Sequence, residues 1–241
     1  MIVVISQPML FPWVGLLEQM HAADAFVHYA DVQFSKGSFV NRVQIKTARG
    51  MRWLTVPLSN LRLGQQINEV KINERSNWRG KHLQMLGDAY EAAPHVNEML
   101  KLVESVYAHD YESIGDLSKA SELALCTYFG IGSPRKFLCS EKLEVEGTGS
   151  RRVLDIVHTL GGNTYLTGHG ASRYLDHEEF EQAGIRVEYM NYAKSPYPQL
   201  HGDFTPYVSA LDLIANVGSS GIDVIHPRSI YWKDHLSDQR N

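Results

Sequence analysis

The first apolar run of the chain, Ile2-Val3-Val4-Ile5, constrains the fold more than any other feature. It is continuous and β-branched, offers no polar residue to water, and ends at Ser6-Gln7-Pro8. A run of this kind suits a strand buried on both faces, which requires cover on both sides and points to a parallel sheet. The residues that follow agree. Val14, Leu16, Leu17, Met20 and Ala23 recur at helical spacing, and Ala25 to Tyr29 reads as a second strand. The opening is a β-loop-α-β unit.

Phe39 to Ile45 and Met51 to Pro57 alternate apolar and polar residues around Thr47-Ala48-Arg49-Gly50, which predicts a hairpin at a sheet edge or over a pocket. Helical periodicity from Trp78 to Tyr107 is broken by Pro94 into two helices, and Ile114 to Phe129 reads as a third. Lys136 to Leu143 has strand character, Arg152 to Leu160 helical character, and Thr164 to Thr167 and Ile185 to Tyr192 strand character. That order makes a second β-loop-α-β run. Val208, Leu211, Leu213, Ile214 and Val217 predict a late helix with Pro206 in its first turn and Gly218 as its stop. Gly218-Ser219-Ser220-Gly221 is not a nucleophile elbow. The expectation is an α/β, Rossmann-like fold with a mainly parallel sheet, an inserted β-hairpin and a helical middle segment. Residues 1–241 read as one composite domain with a helical insertion at about 77–130, since no repeat, low-complexity tract or linker interrupts them.

Composition restricts the partners. Hydrophobic residues at 44% and charged residues at 21% are those of a packed chain, not a disordered one. The formal charge is −4 and no basic run exceeds Arg151-Arg152, so no footprint for nucleic acid is expected. Cys126 and Cys139 stand in apolar surroundings and suit buried thiols in a reducing compartment. The segment Met1 to Leu10 lacks the basic leader and apolar core of a signal peptide. No stretch approaches the roughly 18 to 20 apolar residues that span a bilayer. A cytoplasmic protein with no membrane insertion and a small-molecule substrate is expected, with oligomerisation left open. The 11 histidines fall in no H-E-x-x-H, and no C-x-x-C is present, so no metal and no cofactor are expected.

Four segments hold candidate chemistry. The loop Gln7 to Gly15 follows a buried strand, where open α/β sheets bind ligands; Gln7 presents an amide there, and Trp13 either lines the site or packs into the core. Asp31, Gln33, Lys36, Asn41 and Arg42 follow the second strand; by themselves they read first as a solvated edge, and as a site they would use Arg42 for an anion. Gly147-Thr148-Gly149-Ser150-Arg151-Arg152 leads into a helix and suits a phosphate or a conventional cap, although it is neither a Walker A loop nor G-x-G-x-x-G. Tyr165-Leu166-Thr167-Gly168-His169-Gly170 places His169 in a turn after a strand, as an acid or base or as an ordinary loop residue. Lys81 and His82, on the helix after Trp78, lie on a face that is either pocket or surface.

The series Gln7-Pro8, Phe11-Pro12-Trp13, Gly15, Ala23-Asp24, Lys36 to Asn41-Arg42, Trp78 with Lys81-His82, Tyr90 with Ala93-Pro94, Tyr165 with Gly168, Tyr174-Leu175-Asp176 and Ser209 to Asp212 resembles the WbqC-like family. The resemblance implies an activated-sugar setting, as in bacterial surface-polysaccharide (O-antigen type) biosynthesis. It implies a transferase that modifies a nucleotide-activated amino sugar, by aminoacyl or acyl transfer to its amine. A non-catalytic nucleotide-sugar-binding protein and a nucleotidyltransferase-like enzyme are the alternatives. Against the last, Pro12-Trp13-Val14-Gly15 keeps only the glycine of the H-x-G-H signature. On this reading Gln7, Trp13, Lys36, Asn41, Arg42, Lys81, Arg152 and Tyr165 bind substrate, with Arg42 and Arg152 on the diphosphate. Asp31 and either His82 or His169 serve catalysis, the histidine as the base that deprotonates a sugar ammonium.

Overall fold

A computed structural model describes residues 1–132 and 136–238. The Ile2 run forms β1 (Ile2–Ser6), followed by α1 (Val14–Ala22) and β2 (Ala25–His28). The hairpin consists of β3 (Arg42–Thr47) and β4 (Gly50–Thr55), and a short pair, β5 (Leu58–Ser59) and β6 (Lys71–Ile72), comes next. The helical middle is α2 (Trp78–Tyr90), α3 (Val96–Tyr107) and α4 (Ile114–Phe129). The second half runs β7 (Phe137–Cys139), α5 (Gly149–Thr159), β8 (Thr164–Thr167), α6 (His177–Gln182), β9 (Arg186–Met190), α7 (Ala210–Val217), β10 (Ser229–Tyr231) and α8 (Trp232–Asp238).

Six strands make the central sheet in the order β10-β9-β8-β1-β2-β7. All neighbours in it are parallel except β10, which runs antiparallel to β9. β1 is central, paired to β2 through Val3↔Ala25 and to β8 through Val3↔Tyr165. Its alternation divides the core. Val4 joins a cluster with side chains of α1, α2, α3, α4 and α7, including Leu16, Leu86, Val103, Leu125 and Leu213. Val3 and Ile5 join a second cluster with Val153 and Val157 of α5 and Phe180 of α6. Each fully buried branched side chain of this kind stabilises the fold by about 1.5–3 kcal/mol, in keeping with the apolar residues on both faces of β1 from Ile2 to Ile5.

Three expectations change. The hairpin is a separate two-stranded sheet and does not extend the central one. The late helix begins at Ala210, four residues beyond Pro206, because Ser209 caps it through its hydroxyl, which accepts from the N–H of Leu211 at 3.2 Å. Cys126 is buried, but Cys139 is only half-buried.

Candidate functional site

The C-terminal ends of β1, β2 and β8 open into a cleft of about 1080 Å³. Strand order sets its position: from β1 the chain steps to β2 and β7 on one side, then returns to β8 and β9 on the other. The loops after β1 and β8 therefore diverge to opposite sides and leave a crevice between them.

The loop after β1 is held by buried polar groups. The N–H of Met9 donates to Glu122 Oε1 at 2.6 Å, and the N–H of Phe11 donates to Ser121 Oγ at 2.8 Å, both on α4. On α7, Ser209 Oγ donates to the Phe11 carbonyl at 2.7 Å and the N–H of Ala210 donates to the Pro12 carbonyl at 2.7 Å. These bonds fix Phe11 in the left-handed region, at φ 37°, which a bulky residue seldom adopts. Trp13 then folds back over the start of α1. A Cβ at Gly15 would fall 2.4 Å from the Trp13 ring, so only glycine permits this placement.

Gln7, Trp13, Asp31, Arg152 and His169 all line the cleft, with Gln33 beside them. Arg152 pairs with Asp31, donates Nε–H to the Val145 carbonyl at 2.9 Å and hydrogen-bonds Tyr29, so only part of its five-donor fork remains for a ligand. Burial raises the Asp31 carboxyl, but hydrogen bonds from Arg152 and Ser140 outweigh it and hold the group below its ordinary range. Asp31 is thus a fixed anion that orients Arg152, and it makes a poor base. His169 donates Nε2–H to the Met190 carbonyl at 2.6 Å, which leaves Nδ1 as the acceptor of the neutral ring.

The other expected residues lie elsewhere. Lys36 is exposed in the segment before the hairpin. Asn41 is buried and donates to the Val56 carbonyl at 3.0 Å, a bond that anchors the hairpin base. Arg42 spends its fork on the Gly37 carbonyl and lies 4.2 Å over the Trp53 ring, so it shares no hollow with Gln7. Lys81 lines a separate surface depression with Arg49 and Arg52. His82 is buried, 2.8 Å from the Tyr107 hydroxyl and 3.2 Å from the Thr55 carbonyl, and burial pushes it down to about 4. It stays neutral in the core and does not line the cleft. Tyr165 points the other way from the cleft, stacks on Phe180 at 5.5 Å and is fully buried in the cluster under α5 and α6.

Sequence reasoning missed much of the wall. Tyr29, Tyr174, Tyr192 and Tyr207 line the cleft together with Gln19, Gln66 and Lys194. Gln19 Nε2 donates to the Tyr192 hydroxyl at 2.8 Å, and Tyr192 stands 4.8 Å from Trp13. Tyr29 and Tyr192 each follow a parallel strand within two residues, a signal strand-end reasoning could have used. At the far side, Gly147 and Gly149 take φ 103° and 62°, and the Thr148 side chain caps no N–H of α5. The first turn of α5 thus presents its N–H groups beside Arg152, an arrangement that favours an anion.

Comparison with known proteins adds two findings. A family model described as the WbqC-like protein family matches residues 7–224. An uncharacterized protein of Mycobacterium tuberculosis is 31% identical over 226 residues, covering 92% of this chain and 96% of its own length. No solved structure matches.

Proposed function

We propose that this chain, which belongs to the WbqC-like protein family, binds a nucleotide-activated sugar in the cleft and transfers an acyl or aminoacyl group to it. The observation that carries this reading is one crevice holding an uncapped helix start, a positioned arginine and an aromatic wall. The N–H groups of α5 and the remaining donors of Arg152 suit a diphosphate. Trp13, Tyr29, Tyr174, Tyr192 and Tyr207 offer flat faces to a base or sugar ring. The amides of Gln7, Gln33 and Gln66 suit sugar hydroxyls. This reading takes the sheet as Rossmann-like, with ligand at the reversal of strand order between β1 and β8.

Nδ1 of His169 is the base we assign, since Asp31 is already committed to Arg152. It would take a proton from the sugar ammonium; the amine would then attack the acyl carbon of an activated donor, the new C–N bond forming as the donor's bond to its leaving group breaks and the imidazolium returns a proton to that group. A binding protein without turnover is the second reading, favoured by the engagement of Asp31 with Arg152 and of Nε2 of His169 with a carbonyl.

The test is thermal stabilisation and calorimetry with UDP- and dTDP-linked sugars, with Arg152→Ala as control. A ligand at 100-fold its Kd should stabilise the fold by about 2.7 kcal/mol. Affinity unchanged in Arg152→Ala would remove that residue from the site, and no nucleotide sugar binding at all would overturn the reading. Mass spectrometry of incubations with acyl donors then separates the two forms: a new product marks the transferase, binding alone marks the second reading.

A further inference from the structure

A second, smaller hollow adjoins the cleft, and Trp13, Tyr192 and Lys194 line both. Its volume is about 10 Å³, room for one group the size of a water molecule. Four aromatic rings wall it: Trp13 and Tyr192 at 4.8 Å from each other, and Tyr197 and Phe204 at 5.3 Å. Glu18 of α1 lines it too, beside the apolar Val14, Pro206 and Val224. Glu18 is 1% exposed, and its Oε2 has no hydrogen-bond partner among the described residues. The lysine at the rim does not serve it, because Lys194 Nζ donates to the Tyr207 hydroxyl at 2.8 Å.

A buried carboxylate with an open oxygen costs several kcal/mol unless a proton, a water or a cation meets it. The walls discriminate among these. Aromatic faces carry negative charge density that favours a cation over a neutral guest, and the volume admits a primary ammonium but no quaternary one. We infer that this hollow is an ammonium subsite, in which Glu18 and the faces of Trp13 and Tyr192 receive the protonated amine of a ligand lying in the main cleft. The inference rests on the function proposed above, since the ammonium docked here belongs to the ligand of that cleft in its protonated, resting form, ahead of the deprotonation assigned to His169, while the hollow itself is built of residues that do not depend on it. Burial pushes the Glu18 carboxyl up to about 7, against the pull of the His226 N–H and Arg228, so near neutral pH an arriving cation meets a group ready to ionise.

The experiment follows the Trp13 indole ¹⁵N–¹H resonance, assigned with Trp13→Phe, as methylammonium chloride is added. Tetramethylammonium chloride and sodium chloride at equal ionic strength are the controls. The expected result is a saturable shift with methylammonium alone, weakened roughly tenfold or more in the near-isosteric Glu18→Gln. Equal shifts with tetramethylammonium, no saturable shift, or full affinity retained in Glu18→Gln would each overturn the subsite. The comparison of salts on the unaltered protein stands even if the variant folds poorly. Glucosamine and glycine, each against its N-acetyl derivative, then distinguish an amino sugar from an amino acid as the source of the ammonium. Nucleotide sugars that bind without preference for a free amine would sink the subsite and leave the cleft reading intact. A methylammonium response without nucleotide-sugar binding would do the reverse.

Discussion

Glu18 lies in α1 with its carboxyl out of water, and His82 lies in α2 in the same condition. Desolvation moves them in opposite directions toward one outcome, the neutral form: the carboxyl rises to about 7 and the imidazole falls to about 4. The consequence for stability has a definite sign. A carboxyl at 4.5 in the unfolded chain and about 7 in the fold contributes its full share below pH 4.5, and that share is lost as pH rises to 7. Glu18→Gln should therefore match the parent at pH 4 and exceed it at pH 8, by up to roughly 3 kcal/mol. Urea unfolding at the two pH values measures this, and an equal difference at both would show that Glu18 does not titrate as described. Asp31 behaves in the opposite way. Partners that prefer its anion hold it low, and the same partners make Arg152 a fixed feature of the cleft.

Among elements, the loop after β1 depends on helices distant in sequence. Its Met9 and Phe11 N–H groups end on Glu122 and Ser121 of α4, its Leu10 N–H on the Phe39 carbonyl, and its carbonyls accept from Ser209 and Ala210 at the start of α7. Loss of one such partner leaves a buried N–H without an acceptor, at about 1–3 kcal/mol. Ser121→Ala should cost that much in chemical unfolding and should also weaken ligand binding, because the loop carries Gln7 and Trp13. A stability loss with unchanged ligand affinity would mean that the loop is held by its other bonds, the Leu10 N–H to the Phe39 carbonyl among them. Only part of this was legible. The residues of β1, α1, α3, α4 and β8 announce themselves through periodicity, and the structure places α4 at Ile114–Phe129 and β8 at Thr164–Thr167, the same bounds their patterns predict. The short pair β5–β6 and the helices α6 and α8 escaped, being too brief for a period to register. Among the residues that line the cleft, Gln7, Asp31, Arg152 and His169 follow from strand-end reasoning. Asn41, Arg42 and His82 do not belong with them, because a polar residue in sequence carries no mark of whether its hydrogen bonds end in a ligand or in the protein's own backbone.

At the scale of the whole molecule, one sheet is shared by two apolar bodies, with Val4 in one and Val3 and Ile5 in the other. β1 is hydrogen-bonded on both edges, whereas β10 and β7 close the ends of the sheet. Amide exchange should consequently be slowest at Val3, Val4 and Ile5 and faster at Ser229 to Tyr231, with β1 opening only in global unfolding. Exchange at β1 by an opening cheaper than the global one, measured across a denaturant series, would contradict this arrangement. Among the described residues no helix is long and apolar enough to cross a membrane. The sequence by itself determined the parallel core, since an unbroken β-branched run has only one economical environment, a strand covered on both faces. It also determined which loops fall at the carboxyl end of that core. What tertiary structure alone decided was the membership of the cleft: Tyr29, Tyr174, Tyr192 and Tyr207 converge from separate loops, and Arg42 turns to Trp53 instead of Gln7. The reason is physical. Periodicity records burial along one element, but a site is made where several elements meet, and the packing that brings them together leaves no local trace.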